Sequence, residues 1–483
     1  MTKPNVSHPP NTAADADAVA AQERLVALCG EVFAGSLGRR DQHAKAAAYV
    51  KGLLGEGRKS MEQIGWETLG EQWQGIQNFI SDCEWDANPA WDAISARLAA
   101  TIEPDVIVID EEGDPKSGYD SVGVARQRCG RLGKVESCQV VVSVHMSGLR
   151  GSGMVGSQLL MPEEWTCDPA RRAKARVPAA LVHETPVQIA TRLLAHQRSL
   201  GYGYLVALGD IAYGRSSDLR MSLEADAQPY VMQVQSDTRV RPANEHVRHL
   251  PPQTSKGARR VSDWEYARAP VSVRKLARRH RAEFEDVNWE NPDVTTPHAG
   301  KHTSRFAAIP VRPAMEQYED AYAKQGVDTP LNTLLIEWPN GNKDAVRYWL
   351  CSMPPDTTLG RLVELAKRRY RVEQDYHELK GEMGLDKFQG RLYNGFAHHV
   401  VGCAAAQLFL ALERVSRHWR EAWREYVGPR CSYSIATVRR FVHKALTTLG
   451  TPSAGGGSAT NGGFATSAHS RAGPPPHSAA QIA

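Results

Sequence analysis

Five residues suggest the chemistry that this sequence could perform: two aspartates that each follow an apolar run, and a glutamate set between two bases on a predicted helix. They are Asp110, Asp210, Glu373, Arg369 and Lys380. The bases lie four residues before and seven residues after Glu373, a spacing that places the three side chains on one helix face. Mg²⁺ and Mn²⁺ prefer carboxylate oxygens, and neighbouring bases can hold phosphates. The set therefore predicts a site, with two metal ions about 4 Å apart, for displacement at phosphorus.

Each member of this set also has a simpler explanation, which the residues alone leave open. An aspartate after a buried strand is more commonly a turn-forming residue. An Arg–Glu–Lys ladder on a helix is usually a solvated face, in which each ion pair contributes a few tenths of a kcal/mol. The elements that surround these residues must decide between the explanations.

The spacing of apolar residues predicts one helix over residues 358–383, which carries Arg369, Glu373 and Lys380. Its inward positions recur at helical spacing; they are Leu362, Val363, Leu365, Ala366, Val372, Tyr376 and Leu379. A strongly apolar helix over Phe396 to Leu412 should follow, with Trp419 and Trp423 on an amphipathic segment and a last helix over Val438 to Leu449.

The two aspartates fall within a pattern of short apolar runs that predicts strands. These runs are 106–109, 122–126, 138–144, 204–208 and 230–234, with Asp110 at the end of the first and residues 111–114 as a turn. Residues 148–184 read as an irregular excursion, and helices are expected near Val187–Leu200 and Asp218–Ala225. Three antiparallel strands followed by alternating helices and strands predict an α/β fold, a mixed sheet with helices on its faces.

The composition describes a globular chain that works inside the cell. The 483 residues suggest two or three domains, since one core rarely grows so large. The eight cysteines are scattered, so we expect them to be reduced. No uninterrupted apolar run is long enough to span a bilayer, and the first residues lack a secretory signal. We therefore expect a cytoplasmic protein with no membrane partner.

Basic residues are concentrated in two regions although the net charge is only +4. The predicted N-terminal helices carry Arg39, Arg40, Lys45, Lys51, Arg58 and Lys59. The proline-interrupted region 236–345 carries many more, among them Arg274, Lys275, Arg278 and Arg279, interleaved with Trp264, Tyr266 and Trp289. Either region suits contact with a nucleic-acid backbone. A solvated surface is an equally good explanation of each.

Taken in order along the chain, these segments resemble the DDE-type insertion-sequence transposases, which have an RNase H-like catalytic core. The helix matches the family signature Tyr-x2-Arg-x3-Glu-x6-Lys as Arg369-x3-Glu373-x6-Lys380. The first-aspartate region is similar around Ile109-Asp110-Glu111, with Lys116, Arg126 and Lys134 in matching segments, and the second around Leu208-Gly209-Asp210 with Tyr213-Gly214. The resemblance covers roughly residues 30–425 and implies that Asp110, Asp210 and Glu373 form the metal-binding triad.

One position departs from the family signature. Its tyrosine would fall on Ala366, which cannot hydrogen-bond a phosphate, and Tyr370 is the nearest substitute. The resemblance further implies phosphate or DNA contacts by Arg369, Lys380, Lys116, Arg126 and Lys134. Some members carry a β-rich insertion before the third carboxylate that helps to form a DNA hairpin, and the region from 236 occupies that place.

The segments and the resemblance together predict seven regions: a disordered tail 1–18, a helical DNA-binding domain 19–102, a first catalytic-core segment 103–235, a basic β-rich insertion 236–350, a second catalytic-core segment 351–425, a C-terminal helix 426–450 and a disordered tail 451–483. The two core segments would form one RNase H-like domain. The terminal tails are polar or rich in small residues and show no core-forming pattern.

The function that the resemblance implies is that of a DNA transposase from a bacterial insertion sequence, acting on nucleoid DNA. It would bind terminal inverted repeats and target DNA, pair two ends as a homodimer, cleave with Mg²⁺ or Mn²⁺, and join 3′-OH ends to the target. Two alternatives remain: a non-mobile endonuclease with the same core, and an inactive transposase-derived DNA-binding regulator. A glycosidase with a carboxylate pair is remote, since it leaves the basic insertion unexplained.

Overall fold

The computed structural model describes residues 12–251, 262–291, 300–416 and 434–448. Its helices are α1 (Thr12–Val32), α2 (Arg40–Leu54), α3 (Met61–Leu69), α4 (Gln74–Gln77), α5 (Asn88–Ile102), α6 (Glu163–Thr166), α7 (Pro169–Lys174), α8 (Pro186–Gln197), α9 (Ile211–Gly214), α10 (Ser217–Ala225), α11 (Val273–Arg279), α12 (Glu316–Ala323), α13 (Leu359–Arg368), α14 (Tyr370–Gly381), α15 (Tyr393–Val415) and α16 (Ile435–Thr448).

The strands divide into a large sheet and one small hairpin. They are β1 (Val106–Pro115), β2 (Ala125–Cys129), β3 (Lys134–Gly148), β4 (Gly151–Leu159), β5 (Val206–Gly209), β6 (Tyr230–Val234), β7 (Arg239–Pro242), β8 (Val247–His249), β9 (Trp264–Tyr266), β10 (Val271–Ser272), β11 (Glu285–Asn291), β12 (Gly300–Pro313), β13 (Asn332–Glu337) and β14 (Arg347–Cys351). Strands β8 and β9 form the separate hairpin.

The centre of the large sheet has RNase H-like topology, which confirms the predicted fold class. Strands β4, β3 and β1 are neighbours and antiparallel, and β5 and β6 follow beside β1 in parallel. Helices cover both sides: His145 of β3 bonds Asp375 of α14, whereas Gly156, the partner of Val144, faces Leu193 of α8. Because side chains alternate along a strand, the adjacent positions Val144 and His145 of β3 point to opposite faces.

The sheet continues without a break into the predicted insertion. Strand β14 pairs with β6, and β13, β12, β7 and β10 follow in that order, with β11 on β12. The pairing is antiparallel throughout this half. The insertion is thus β-rich, as predicted, and its strands extend the core sheet.

The N-terminal helices pack against the last helices of the chain. Helix α1 contacts α16, and α2 and α5 contact α15. Helix α15 is long and apolar enough to cross a membrane by length and composition, contrary to our expectation, but 89% of its apolar window is buried inside the protein. It is the core helix against which the first and the last described helices pack.

Outside β1, four local predictions were wrong. The expected irregular segment 148–184 contains β4, α6 and α7. Strand β4 was missed because its glycines dilute the apolar pattern, although packing requires small residues there: a Cβ on Gly156 would lie 3.1 Å from Val144. The strand expected at 122–126 lies at β2, and helix α1 begins inside the tail expected to be disordered.

The fourth error concerns the single helix predicted over 358–383, which is two helices. Arg369 separates α13 from α14, yet its φ of −53° and ψ of −33° are helical. The amide of Val372 donates to the Arg369 carbonyl, a tighter turn than the α-helical pattern. The chain therefore stays helical from α13 into α14, with one tighter turn at Arg369. The predictions for Trp419, Trp423 and the tail from 451 lie outside the described residues.

The described cysteines are free thiols, as expected.

Candidate active site

Asp110 lies in the middle of β1, not at its end as predicted. The four residues before it are fully buried, which anchors the strand. Residues 111–114 continue β1 instead of turning, because β3 offers them partners from Val142 to Gln139. The Asp110 side chain is 15% exposed. A buried strand thus carries this carboxylate to the surface of the sheet.

Asp210 follows β5 and lies at the same end of the sheet as Asp110. Strands β1 and β5 pair in parallel up to Val108 and Leu208. Continuing that register by two residues brings Asp210 beside Asp110. The parallel pairing therefore explains how residues 100 positions apart in the sequence reach one site.

Asp210 also caps helix α9, so the turn-forming explanation is correct as well. Its Oδ1 accepts hydrogen bonds from the amides of Ala212 (2.8 Å) and Tyr213 (3.4 Å). Gly214 lets this short helix lie against β6, since a Cβ there would come within 1.9 Å of the Gln233 carbonyl oxygen. Oδ2 of Asp210 makes no hydrogen bond or ion pair with the residues that the structure describes.

Glu373 stands in the first turn of α14 and is half exposed. Arg369 links it to the first aspartate: one guanidinium nitrogen lies 2.5 Å from Oε1 of Glu373 and the other 3.7 Å from Oδ2 of Asp110. The Arg369 side chain is 23% exposed. A single cation thus bridges carboxylates from a strand and from a helix.

The electrostatics of Asp110 show that the three carboxylates are neighbours. Burial raises the pKa of Asp110 to about 7; the Arg369 guanidinium opposes this shift, and the negative charges of Asp210 and Glu373 add to it. The amide of Glu111 donates to Oδ1 of Asp110 at 3.0 Å. Burial and the charge of Asp210 also raise the pKa of Glu111. The site therefore holds more negative charge than Arg369 neutralises.

These residues fit a hard divalent cation in type and in neighbourhood. Carboxylate oxygens are the preferred ligands of Mg²⁺, and a divalent cation would neutralise the excess charge that raises the pKa of Asp110. In the described ranges, no group of three or more acidic, histidine or cysteine side chains is closed tightly enough to hold a metal ion. Arg369 lies between Asp110 and Glu373, where such a cation would act, so binding requires this arginine to move.

Comparison with known proteins gives the family. The model of the DDE superfamily endonucleases matches residues 32–294, more than half of the chain, and the matched range includes Asp110 and Asp210. The chain belongs to the DDE superfamily endonucleases. Glu373 lies outside the matched range.

The chain is also similar in part to a curated relative and to a solved structure. A probable transposase for insertion sequence element IS701 from Microchaete diplosiphon is 26% identical over 164 residues, which span 33% of this chain and 40% of the relative. The piggyBac transposase synaptic complex with hairpin DNA covers 91% of this chain and 83% of its own, with 9% identity and a TM-score of 0.39. A TM-score this low describes only a coarse likeness.

The acidic patch of this DDE endonuclease is larger than the predicted triad. Glu112 pairs with Lys380, so the signature lysine is held beside β1. Tyr213 is 1% exposed, and its hydroxyl has no partner among the described residues. Burial, with the charges of Glu111, Asp110 and Asp210, raises the pKa of Tyr213 well above its ordinary range. Acids alternate along β1 at Asp110, Glu112 and Asp114, a pattern that places all three on one face of an extended strand. This patch was missed from the sequence because residues 111–114 were predicted to form a turn.

The signature helix presents its residues as the spacing predicted. Lys380 is 16% exposed and lies 5.7 Å from the Tyr376 ring. Tyr370 opens α14 next to Arg369. Ala366, which replaces the signature tyrosine, is buried in α13.

The remaining predicted phosphate contacts differ in availability. Lys116 is 16% exposed and is held by Asp114 (2.6 Å) and by the Phe388 carbonyl (3.1 Å), so its ammonium is engaged inside the protein. Lys134 is 63% exposed and pairs with Glu136 at 3.0 Å. Arg126 borders a surface depression of about 610 Å³.

Helix α11 carries the four predicted cations of the insertion on its exposed side. Val273, Leu276 and Ala277 are buried and fix the helix to the sheet. The exposed residues are Arg274, Lys275, Arg278 and Arg279. Arg278 pairs with Asp344 (2.9 Å) and remains 60% exposed. The N-terminal cations differ from one another: Arg39 is 66% exposed, whereas Lys59 is half-buried and bonds the Gly52 carbonyl at 3.4 Å.

Proposed function

We propose that this DDE endonuclease is the transposase of a bacterial insertion sequence. It binds the terminal inverted repeats of its element, hydrolyses DNA at their 3′ ends, and joins the freed 3′-OH groups to target DNA. Asp110, Asp210 and Glu373 are its metal-binding catalytic triad. The observation that supports this most strongly is the convergence of the three carboxylates, from β1, from the end of β5 and from α14, on one acidic point beside Arg369.

The division of labour follows from the positions of the side chains. When bound to the triad, Mg²⁺ or Mn²⁺, as two ions, supplies positive charge that activates water and neutralises developing negative charge at phosphorus. Asp110 is held rigidly by a buried strand, and Asp210 by its cap on α9, so both carboxylates are pre-oriented. Arg369 exchanges its carboxylate partners for a phosphate of the DNA, and Lys380 stands further along the same helix face to hold a second phosphate.

Affinity for DNA comes from exposed cations outside the catalytic residues. The basic face of α11 suits backbone contacts, and each phosphate contact releases counterions, so binding should weaken with salt. Replacing Arg274 and Lys275 by alanine should reduce the slope of log K against log salt by about 0.9 for each phosphate that the variant no longer binds. Lys324→Ala, an exposed lysine paired with Asp320 on α12, is the matched control, and an unchanged slope in the Arg274/Lys275 variant would remove α11 from the DNA path.

A plasmid that carries the gene with its native flanks tests the whole proposal. Wild type and Glu373→Gln are compared in Mg²⁺, and Glu364→Gln serves as control. Glu364 is an exposed glutamate of α13 that pairs with Arg361 at 2.8 Å. We expect discrete cuts at both flanks with wild type and with Glu364→Gln. We expect a loss of about 10³-fold with Glu373→Gln, since metal contacts contribute several kcal/mol to the transition state.

The other outcomes favour the alternatives. Metal-dependent cuts without preference for the flanks would indicate a non-mobile endonuclease. Binding of the flanks with no cut by any variant would indicate an inactive regulator. Cleavage retained by Glu373→Gln would remove this residue from the triad.

The assembly and location of the protein belong to the same proposal. Two ends must meet for joining, so we propose a homodimer in the synaptic complex, acting on DNA in the cytoplasm. The molar mass of the complex with end DNA, measured by light scattering, distinguishes one chain from two.

A further inference from the structure

A buried hydrogen-bond network lies behind the candidate site. Ser143 and His145 are on β3, Asp375 is on α14, and all three are 0% exposed. The Ser143 hydroxyl lies 2.9 Å from Nε2 of His145, and Nδ1 of His145 lies 3.0 Å from Oδ2 of Asp375. The chemistry described so far does not use these residues.

The network extends at both ends to residues of α14 and β4. At one end the hydroxyl of Tyr376 lies 2.6 Å from that of Ser143. At the other end Ser152 of β4 donates to Oδ1 of Asp375, and Nε of Arg371 donates to Ser152 at 2.6 Å. Helix α14 is therefore tied to two neighbouring strands by polar side chains.

Every donor and acceptor along the chain of bonds finds a partner if the imidazole is neutral. Tyr376 donates to Ser143, Ser143 donates to Nε2, and Nδ1–H donates to Asp375. An acceptor that receives two donors, as Asp375 does from His145 and Ser152, is well satisfied. Buried polar networks that are fully satisfied fix one arrangement of the elements they join.

The order Ser–His–Asp is also that of hydrolase nucleophiles, but burial excludes this use here. Ser143 and His145 have no exposed surface, so a substrate carbonyl cannot approach the hydroxyl. The Ser143 oxygen is also engaged by two partners. The network serves to hold elements together.

The network joins the two elements that carry the first and third carboxylates. Ser143 is the cross-strand partner of Asp110 in the β1–β3 pairing. Asp375 and Tyr376 follow Glu373 by two and three residues on α14. A rotation or slide of α14 would break these bonds and would move Glu373 relative to Asp110.

We propose that Ser143, His145, Asp375 and Tyr376 are positioning residues that set the distance between Asp110 and Glu373. This inference depends on the proposed function for the identity of the site. Partners beyond the ligands commonly change metal affinity or activity by 10- to 100-fold when they are removed. The Tyr376–Ser143 bond is the link that can be removed with least damage to the core.

Tyr376→Phe deletes this hydrogen bond alone, whereas Ser143→Ala deletes it together with the bond between Ser143 and His145. Tyr230→Phe is the matched control, because Tyr230 is a buried tyrosine as Tyr376 is, and its hydroxyl bonds Glu224 (2.7 Å) and Asn332 (2.8 Å). Its surroundings include none of the site carboxylates. Mn²⁺ affinity of the DNA-free protein is measured by electron paramagnetic resonance, and flank cleavage is measured against Mn²⁺ concentration.

We expect Tyr376→Phe and Ser143→Ala each to weaken Mn²⁺ binding by about 10-fold, with a matching rise in the Mn²⁺ concentration for half-maximal cleavage. Tyr230→Phe should bind Mn²⁺ as tightly as wild type does, even if its unfolding temperature decreases as much as that of Tyr376→Phe. The double variant should bind Mn²⁺ no more weakly than Ser143→Ala does, since Ser143→Ala already removes the bond that Tyr376→Phe deletes. If one variant does not fold, the other alone decides.

The outcomes separate this inference from the proposed function. Wild-type affinity for Mn²⁺ in a folded Tyr376→Phe or Ser143→Ala would overturn the positioning role while leaving the triad intact. The proposed function itself would be overturned if the wild-type protein did not cleave and bound Mn²⁺ no better than Glu373→Gln does.

Discussion

Helix α14 carries the same Arg-x3-acid spacing on two faces, with opposite outcomes. On one face Arg369 pairs with Glu373 at 2.5 Å, and the glutamate is 50% exposed. On the other face Arg371 lies 3.6 Å from Asp375, which is 1% exposed. The two pairs are only two residues apart in the sequence, yet one faces the candidate site and the other faces the core.

The spacing of residues along α14 therefore decides on which helix face a side chain lies, and the residues packed against that face decide whether it serves chemistry or stability. Glu373 shares its arginine with Asp110 and has few other partners among the described residues, so it can turn to a metal ion. Asp375 is bonded by His145 and Ser152 and has no freedom to do so. A carboxylate whose hydrogen-bonding positions are all occupied indicates a structural role, and one with unoccupied positions indicates a role in binding or catalysis.

The largest effect that would sharpen this comparison is on stability. Asp375→Ala leaves buried donors without a partner and should lower the free energy of unfolding by about 3–5 kcal/mol. Glu373→Ala on the exposed face should change it by less than about 1 kcal/mol. Urea unfolding of both variants gives the two values. Equal decreases would mean that the two faces do not differ as described.

The two faces should also respond differently to pH and metal. Burial raises the pKa of Asp110 to about 7 on the site face, and burial raises that of Glu378 to about 7 on the core face. A carboxyl whose pKa is higher in the folded state binds protons that the unfolded chain has released. Its stabilising contribution is full below about pH 4 and disappears as the pH rises to about 7.

Comparison of wild type with Asp110→Asn and with Glu378→Gln isolates each contribution, which should be on the order of 3 kcal/mol between pH 4 and pH 8. Saturating Mg²⁺ should remove the decrease due to Asp110, because a ligand carboxylate must be ionised to bind the metal. The decrease due to Glu378 should remain. Urea unfolding at several pH values, with and without Mg²⁺, makes the measurement. A Mg²⁺ effect on the Glu378 contribution would contradict the assignment of faces.

The sequence predicted the exposed face better than the core face. The family spacing singled out Arg369, Glu373 and Lys380, and the structure places all three toward β1. Asp375 was passed over because an acid among charged neighbours looks solvated. Only the packing of α14 on β3 and β4 shows that it is buried, and one sequence does not reveal that packing.

The strands show the same limit. Apolar runs predicted that β1, β5 and β6 exist and predicted where β1 and β6 begin, since buried strands need such residues; β5 begins two residues after the predicted start. The acidic half of β1 was predicted as a turn, since a local run of acids is typical of an exposed segment. In the structure these acids pair with bases far along the chain, such as Lys380 for Glu112. Pairings between distant residues were thus what local patterns could not supply.

The smallest predicted effect tests the arginines of the two faces against each other. Arg369 bridges Asp110 and Glu373, so it competes with a metal ion for both carboxylates. Arg369→Gln should therefore bind Mn²⁺ a few-fold more tightly in the absence of DNA, since a partly exposed ion pair contributes about 0.2–1 kcal/mol. The same variant should cleave the flanks more slowly, because glutamine cannot hold the phosphate as a cation does. Arg371→Gln, the matched variant of the core face, should not bind Mn²⁺ more tightly than wild type and should lower the stability instead. If Arg369→Gln bound Mn²⁺ more weakly than wild type, Arg369 would assist metal binding, and the exposed pair would be as fixed a component of the fold as the buried one.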